Sequence, residues 1–228
     1  MSPLGPIDAV MFDHDGTLVD SIPAVISASN GVLWERGLDK ATPDQIVAGM
    51  VHPTAKRLGL LTGIDSPAAQ ENMAHRYSQL ALHHSDLADL YPGVRQAVEA
   101  LANRGLLLGV VSNSRGAFIR AILHRLGVAD CFTAMIGEDD MPAPKPDPRG
   151  LLAALGAIPP GRAIYVGDSS ADLQTARNAG VRAIGVTWGT HSRSELEPLG
   201  FDALVDSPQA LADLIPDRPS LHLPEPLP

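Results

Sequence analysis

Two acidic clusters in this sequence are spaced so that their carboxylates could act together. Asp13-His14-Asp15-Gly16-Thr17-Leu18 follows the apolar run Ile7 to Phe12, and Gly167-Asp168-Ser169-Ser170-Ala171-Asp172 follows Ala163 to Val166. Residues i and i+2 of an extended segment share a side, so Asp13 and Asp15 face one site. Gly16 then lets the chain turn away. Asp168 stands at a strand end, with Asp172 one helical turn later. Uncompensated carboxylates repel one another and call for a cation, and oxygen-only ligands suit a hard ion such as Mg2+. An Asp at a strand–helix junction is also an ordinary N-cap. That reading serves for Asp168 or Asp172 singly, and poorly for Asp13, Asp15 and Asp168 jointly.

Other strand ends supply complementary groups. Ser112-Asn113 follows Leu106 to Val111 and offers a hydroxyl and a turn amide at a helix N-terminus, a natural anion site. Lys145 lies in Pro142-Ala143-Pro144-Lys145-Pro146-Asp147-Pro148, where the prolines fix its approach at low entropic cost. The chain has only three lysines, Lys40, Lys56 and Lys145, which favours a positioned cation over a solvated one.

The elements that must hold these groups follow from the apolar pattern. Strands are expected at Ile7 to Phe12, Leu106 to Val111, Thr133 to Ile136, Ala163 to Val166 and Ala183 to Val186. Helical periods lie between them at Val94 to Arg104, Ala117 to Leu126, Pro148 to Leu155 and Ala171 to Ala179. Gly105, Gly127, Gly156 and Gly180 sit where each helix should stop, as positive-φ caps. Strands alternating with helices predict an α/β fold, a doubly wound parallel-sheet core. In such sheets ligands bind outside the carboxyl ends of the strands. From Ser21 to Asp89 there is no convincing strand, only helical pieces at Ile22 to Arg36, Pro43 to Met50, Pro53 to Leu61 and Pro67 to His84. The expected organisation is a core of residues 1–20 and 90–215, an inserted helical cap over 21–89, and an extended Pro-rich tail over 216–228.

Composition narrows the partners. In 228 residues, 17 Lys and Arg face 26 Asp and Glu, a net charge of −9. Nucleic acid and anionic membrane both want a positive surface, so neither is an expected partner. A hydrophobic share of 45% with 19% charged residues is that of a globular chain. Cys131 is alone, which excludes an internal disulfide or a multi-cysteine metal site and suggests a small buried hydrophobe. No basic N-terminal region precedes an apolar one, and the longest apolar run is far short of a bilayer span. A soluble cytoplasmic protein is expected. His14 alternates away from Asp13 and Asp15 and reads as a packed core histidine.

Taken in order, Asp13-x-Asp15-Gly16-Thr17-Leu18-Val19-Asp20-Ser21, Ser112-Asn113, Lys145 and Gly167-Asp168-Ser169-Ser170-Ala171-Asp172 resemble the haloacid dehalogenase superfamily, in its phosphatase branch with a small helical cap. The likeness runs from about Ile7 to Ala212. Val186-Thr187-Trp188-Gly189, His191 to Leu196 and Asp202 to Pro208 look like phosphoglycolate phosphatases and their relatives. The resemblance implies a Rossmann-like core and an Mg2+-dependent phosphatase acting on a small phosphorylated metabolite, as a monomer or homodimer. By it, Asp13 is the nucleophile and forms an aspartyl-phosphate, and Asp15 is the general acid and base. Mg2+ is held by the Asp13 carboxylate, the Asp15 carbonyl and Asp168. Lys145, Thr17 or its neighbouring amides, and Ser112 with Asn113 cradle the phosphoryl oxygens. Asp172 supports the metal's water shell or orients Lys145. Asp15 itself favours phosphate esters over haloacids or phosphonates. Substrate selection is expected in the cap stretch Ala48 to Arg57, through His52, Lys56 and Arg57. Phosphoglycolate is the first candidate substrate. A phosphosugar mutase or sugar-phosphate phosphatase, and an idle phosphometabolite-binding protein, are the alternatives.

Overall fold

Aliphatic runs with no polar face make strands buried on both sides, and the chain uses them to build one central sheet. The computed structural model describes residues 5–217, so the tail expected from 216 lies outside the described residues apart from Pro216 and Asp217. The strands are β1 (Ala9–Phe12), β2 (Val19–Asp20), β3 (Asp89–Leu90), β4 (Leu107–Val111), β5 (Ala134–Ile136), β6 (Ala163–Gly167), β7 (Arg182–Val186) and β8 (Ala203–Val205). Six of them form a parallel sheet in the order β5-β4-β1-β6-β7-β8. Phe12, the last residue of β1, pairs with Val110 of β4 and Val166 of β6, so the carboxyl ends of these three strands lie side by side.

The helices are α1 (Ile22–Trp34), α2 (Pro43–Ala48), α3 (Thr54–Thr62), α4 (Pro67–His83), α5 (Val94–Asn103), α6 (Gly116–Arg125), α7 (Arg149–Leu155), α8 (Ser170–Ala179), α9 (Arg193–Leu196) and α10 (Pro208–Leu214). Alternation along β1 divides the core between two layers. Val10 and Phe12 pack with Val98 and Leu101 of α5 and with Ile119 and Ile122 of α6. Ala9 and Met11 pack with Leu151 of α7 and Leu173 and Ala176 of α8. Helices thus cover both faces, as a doubly wound core requires. Gly105, Gly127, Gly156 and Gly180 all have positive φ where the sequence places them. Cys131 is partly buried against the first layer, and burial holds its thiol above the ordinary range.

The inserted segment is helical from α1 to α4. Ala24, Ala28 and Val32 of α1, Leu58 of α3 and Met73, Tyr77 and Ala81 of α4 give it buried contacts continuous with the core. Two features depart from the sequence reading. A sixth sheet strand, β8, was not expected. Where the chain leaves and re-enters the core, β2 and β3 pair antiparallel, Val19 with Leu90 and Asp20 with Asp89. This two-residue clasp closes the base of the cap. Among the described residues no helix is long and apolar enough to cross a membrane.

Candidate active site

The carboxyl ends of β1, β4 and β6 deliver Asp13, Ser112 and Asp168 to one place. A chamber of about 60 Å3 lies there, lined from the core by Asp13, Asp15, Ser112, Asn113, Ser114, Lys145, Asp168, Thr190 and His191 among others. The cap adds Val47, Met50, His52, Thr54 and Arg57.

Asp13 and Lys145 are both buried, and Lys145 Nζ stands 2.8 Å from Asp13 Oδ1. Its other partners are Asp172 Oδ1 at 2.6 Å and the Tyr165 hydroxyl at 3.2 Å. Burial alone would lower the Lys145 pKa, but the flanking Asp13 and Asp172 outweigh it and hold the ammonium well above its ordinary range. Burial, then the negative charge of Asp172, push the Asp13 carboxyl upward, while Lys145 pulls it down. The backbone of Lys145 is clamped from both sides by Asn113, whose Oδ1 accepts its N–H at 2.7 Å and whose Nδ2 donates to its carbonyl at 3.3 Å.

Asp15 has a different setting. Its carboxylate accepts Ser114 Oγ at 2.5 Å and Ser21 Oγ, and His14 Nδ1 lies 3.1 Å away. Burial would raise its pKa, but His14 and the two hydroxyls more than compensate and hold it well below the carboxylate range. His14 is fully buried and edge-on to Phe118 at 5.9 Å, the packed histidine expected. It does not point clear of Asp15, however. The chain bends immediately after Asp13, so strict strand alternation no longer applies at the next residue.

Asp168 is enclosed by glycines. Gly16 has φ +78°, and a Cβ there would stand 2.3 Å from Asp168 Oδ2. A Cβ on Gly189 would stand 2.5 Å from the same oxygen. Thr190 donates to Asp168 Oδ2 from its amide at 2.7 Å and its hydroxyl at 2.5 Å. Burial first and Asp172 second push the Asp168 carboxyl up to about 6. Ser169, not an aspartate, is the N-cap of α8, and Asp172 closes its capping box by accepting Ser169 N at 3.1 Å and Oγ at 2.5 Å. Asp172 therefore spends one oxygen on Ser169 and the other on Lys145, which makes it an anchor for that lysine.

Oxygens of Asp13, Asp168 and Asp172 all lie within 4.8 Å of one another; with both Asp172 oxygens engaged by Ser169 and Lys145, Asp13 and Asp168 are the carboxylates that fit a hard divalent cation.

Several sequence expectations converge here and others do not. Asp13, Asp15, Ser112, Asn113, Lys145, Asp168, His52 and Arg57 line the chamber. Thr17 does not: it is buried against Phe12, Leu18 and Trp188, and its carbonyl accepts the indole N–H of Trp188 at 3.0 Å. Lys56 is exposed on α3 and lines neither this chamber nor the cap groove beside it, because its neighbour Arg57 takes the inward face of the helix. Ser114, Tyr165 and Thr190 were missed. Thr190 and Ser114 each follow a strand-end motif by only a few residues, the one signal that could have drawn them in.

The model of a family described as "Haloacid dehalogenase-like hydrolase" matches residues 10–186. A phosphoglycolate phosphatase from Rhodospirillum rubrum is 37% identical over 217 residues, 90% of this chain and 89% of that one. An N-acetylmuramic acid 6-phosphate phosphatase from Pseudomonas aeruginosa is 31% identical over 219 residues, 92% of this chain and 95% of that one. A crystal structure from Bacteroides fragilis, described as haloacid dehalogenase-like, superposes with a TM-score of 0.83 at 30% identity, covering 92% of this chain and 100% of that one.

Proposed function

This chain belongs to the haloacid dehalogenase-like hydrolase family and is a phosphoric monoester hydrolase, and from that premise we propose that it cleaves a small phosphomonoester through an aspartyl-phosphate, with Mg2+ as cofactor and phosphoglycolate as first candidate. The observation that carries this reading is the setting of Asp13, a buried carboxylate beside Lys145 on the wall of a chamber that Asp15 also lines.

Asp13 attacks phosphorus, the bond from phosphorus to the ester oxygen breaks, and Asp15 gives its proton to the departing alkoxide. His14 and the Ser114 and Ser21 hydroxyls favour the ionised form of Asp15. A phosphate dianion bound beside it opposes its hydrogen bonds and favours the protonated form that this first step needs. In the second step Asp15 takes a proton from water as the water attacks phosphorus, the bond from phosphorus to the Asp13 oxygen breaks, and inorganic phosphate leaves with the Asp13 carboxylate restored. Lys145 and Ser112 face the phosphoryl oxygens as charge builds on them. Asp13, the Asp15 carbonyl and Asp168 would hold Mg2+; Asp168 Oδ2 is taken by Thr190, which leaves Oδ1 for the metal. When bound, Mg2+ offsets the repulsion between a carboxylate and an anionic phosphate.

Phosphoglycolate leads because relatives of that name match over most of their length. The Pseudomonas aeruginosa relative keeps a sugar-phosphate substrate as the second reading. The test is release of inorganic phosphate by purified protein with Mg2+ from a broad panel of phosphate esters including both compounds. Turnover of at least one small monoester is expected, and none across the panel would refute the reading. Asp13→Asn should keep the fold, seen by circular dichroism, and lose roughly a thousandfold or more in kcat.

A further inference from the structure

Two buried cations line the catalytic chamber, Lys145 and Arg57, each 5% exposed. Lys145 is matched by Asp13 and Asp172. Arg57 is unmatched. Its Nε and Nη2 are buried without a hydrogen-bond partner, and among the described residues no carboxylate lies within ion-pair distance of it. Glu138, an acid of the core that feels the Arg57 charge weakly, is occupied elsewhere, accepting the Thr54 amide at 3.5 Å and standing 3.9 Å from Arg115. A buried guanidinium with unused donors is costly to keep unless something arrives to meet it.

The side chain is also held in place. Its stem crosses the turn at Gly49, where a Cβ would stand 2.9 Å from Arg57 Cγ. The guanidinium carbon sits 4.9 Å from the centroid of the Tyr77 ring. Tyr77 supplies no counter-charge, and Nε and Nη2, the two nitrogens of one edge of the guanidinium, keep no acceptor and form a free N–H fork. That fork matches a planar carboxylate or a phosphate. The chamber decides between them. At about 60 Å3 it has room for only a few water-sized groups, and the phosphoryl group takes part of that space beside Lys145. Arg57 and His52 also line a second groove of about 520 Å3 in the cap, so the Arg57 side chain stands at the border of the two cavities.

We propose that Arg57 determines specificity by pairing its guanidinium fork with the carboxylate of a short-chain phosphorylated hydroxy acid. This rests on the phosphatase reading above and narrows its substrate class. The experiment compares 2-phosphoglycolate with its uncharged amide, using the full chain with Mg2+. Wild type prefers the acid. In Arg57→Gln the ratio of kcat/KM values, acid over amide, falls roughly tenfold to a hundredfold, mainly through KM. Arg57→Lys restores part of it, because a point charge lacks the fork. Gly49→Ala, which keeps the guanidinium but crowds its stem, gives an intermediate ratio. Thermal melts identify any variant that fails to fold, and Gly49→Ala and Arg57→Lys then carry the comparison.

An equal loss on both esters would mean that Arg57 is only structural, and an unchanged ratio that it reads nothing. A higher kcat/KM on N-acetylmuramic acid 6-phosphate than on 2-phosphoglycolate would overturn the short-chain assignment. Calorimetry of 2-phosphoglycolate binding, with and without Arg57→Gln in the Asp13→Asn background, reads the same difference without turnover. A failed phosphatase reading therefore remains distinguishable from a failed role for Arg57.

Discussion

At Asp168 a close-fitting backbone sets the chemistry of one carboxylate. Loops carrying Gly16 and Gly189 press against it, Thr190 takes one oxygen, and burial with Asp172 nearby raises its pKa from 3.8 to about 6. In the metal-free protein the folded state then holds a proton that the unfolded chain releases between those two values. Unfolding free energy from this group therefore falls as pH rises across that window and levels off above it. Thermal melts in EDTA from pH 4 to 7 should show wild type losing up to about 3 kcal/mol relative to Asp168→Asn, which has no such carboxyl. A parallel pair of curves would contradict the shift. Gly16→Ala tests the enclosure itself: a left-handed φ and a Cβ against the carboxylate should cost roughly 1–3 kcal/mol and most of the activity. Asp13, Asp15, Lys145 and Asp168 were legible from residue type, spacing and strand-end placement. Ser114, Tyr165 and Thr190 were not, because each acts on a charged neighbour that only the fold brings close. Arg57 and Lys56 were indistinguishable as text; the phase of α3 separates them, burying one and exposing the other.

Between elements, the seam that matters runs from cap to core. Arg115, at the start of α6, meets Glu71 of α4 at 2.5 Å and stands 3.9 Å from Glu138, which in turn accepts the first amide of α3. Arg125 of α6 donates to the carbonyl of Ser85 at 2.9 Å and to that of Ala88, at the cap's return. Glu71 is 64% exposed, so the Arg115 pair is screened by solvent and worth little to global stability, about 0.2–1 kcal/mol. Its effect should appear in cap closure instead. Arg115→Ala is expected to leave the melting temperature within a few degrees, raise KM severalfold and make KM less sensitive to added salt. A large fall in melting temperature with KM unchanged would reverse that assignment. The long periodic elements were readable, to within two residues at most ends. The β2–β3 clasp was not, since two residues carry no period and their partners lie some seventy positions apart. Three-residue β8 escaped for the same reason.

Across the whole molecule, the net charge of −9 and the site belong to one electrostatic problem. The strand order puts β1 between β4 and β6, so the fold concentrates Asp13, Asp15, Asp168 and Asp172 at one end of the sheet, where among the described residues Lys145 and Arg57 are the buried Lys and Arg side chains. That concentration opposes folding in the absence of metal and should be relieved by it. An ion that binds the folded chain alone stabilises it by about 2.7 kcal/mol at a hundred times its dissociation constant. For a chain of this length that corresponds to a rise in melting temperature of roughly 5–10 °C. Scanning calorimetry at neutral pH, in EDTA and then in saturating Mg2+, should show a rise of this size in wild type and little in Asp168→Asn. Below pH 6 the rise should shrink in wild type too, as protons compete for the same carboxylate. An equal rise in both proteins would place the stabilising ion elsewhere on the acidic surface and remove Asp168 from the metal site.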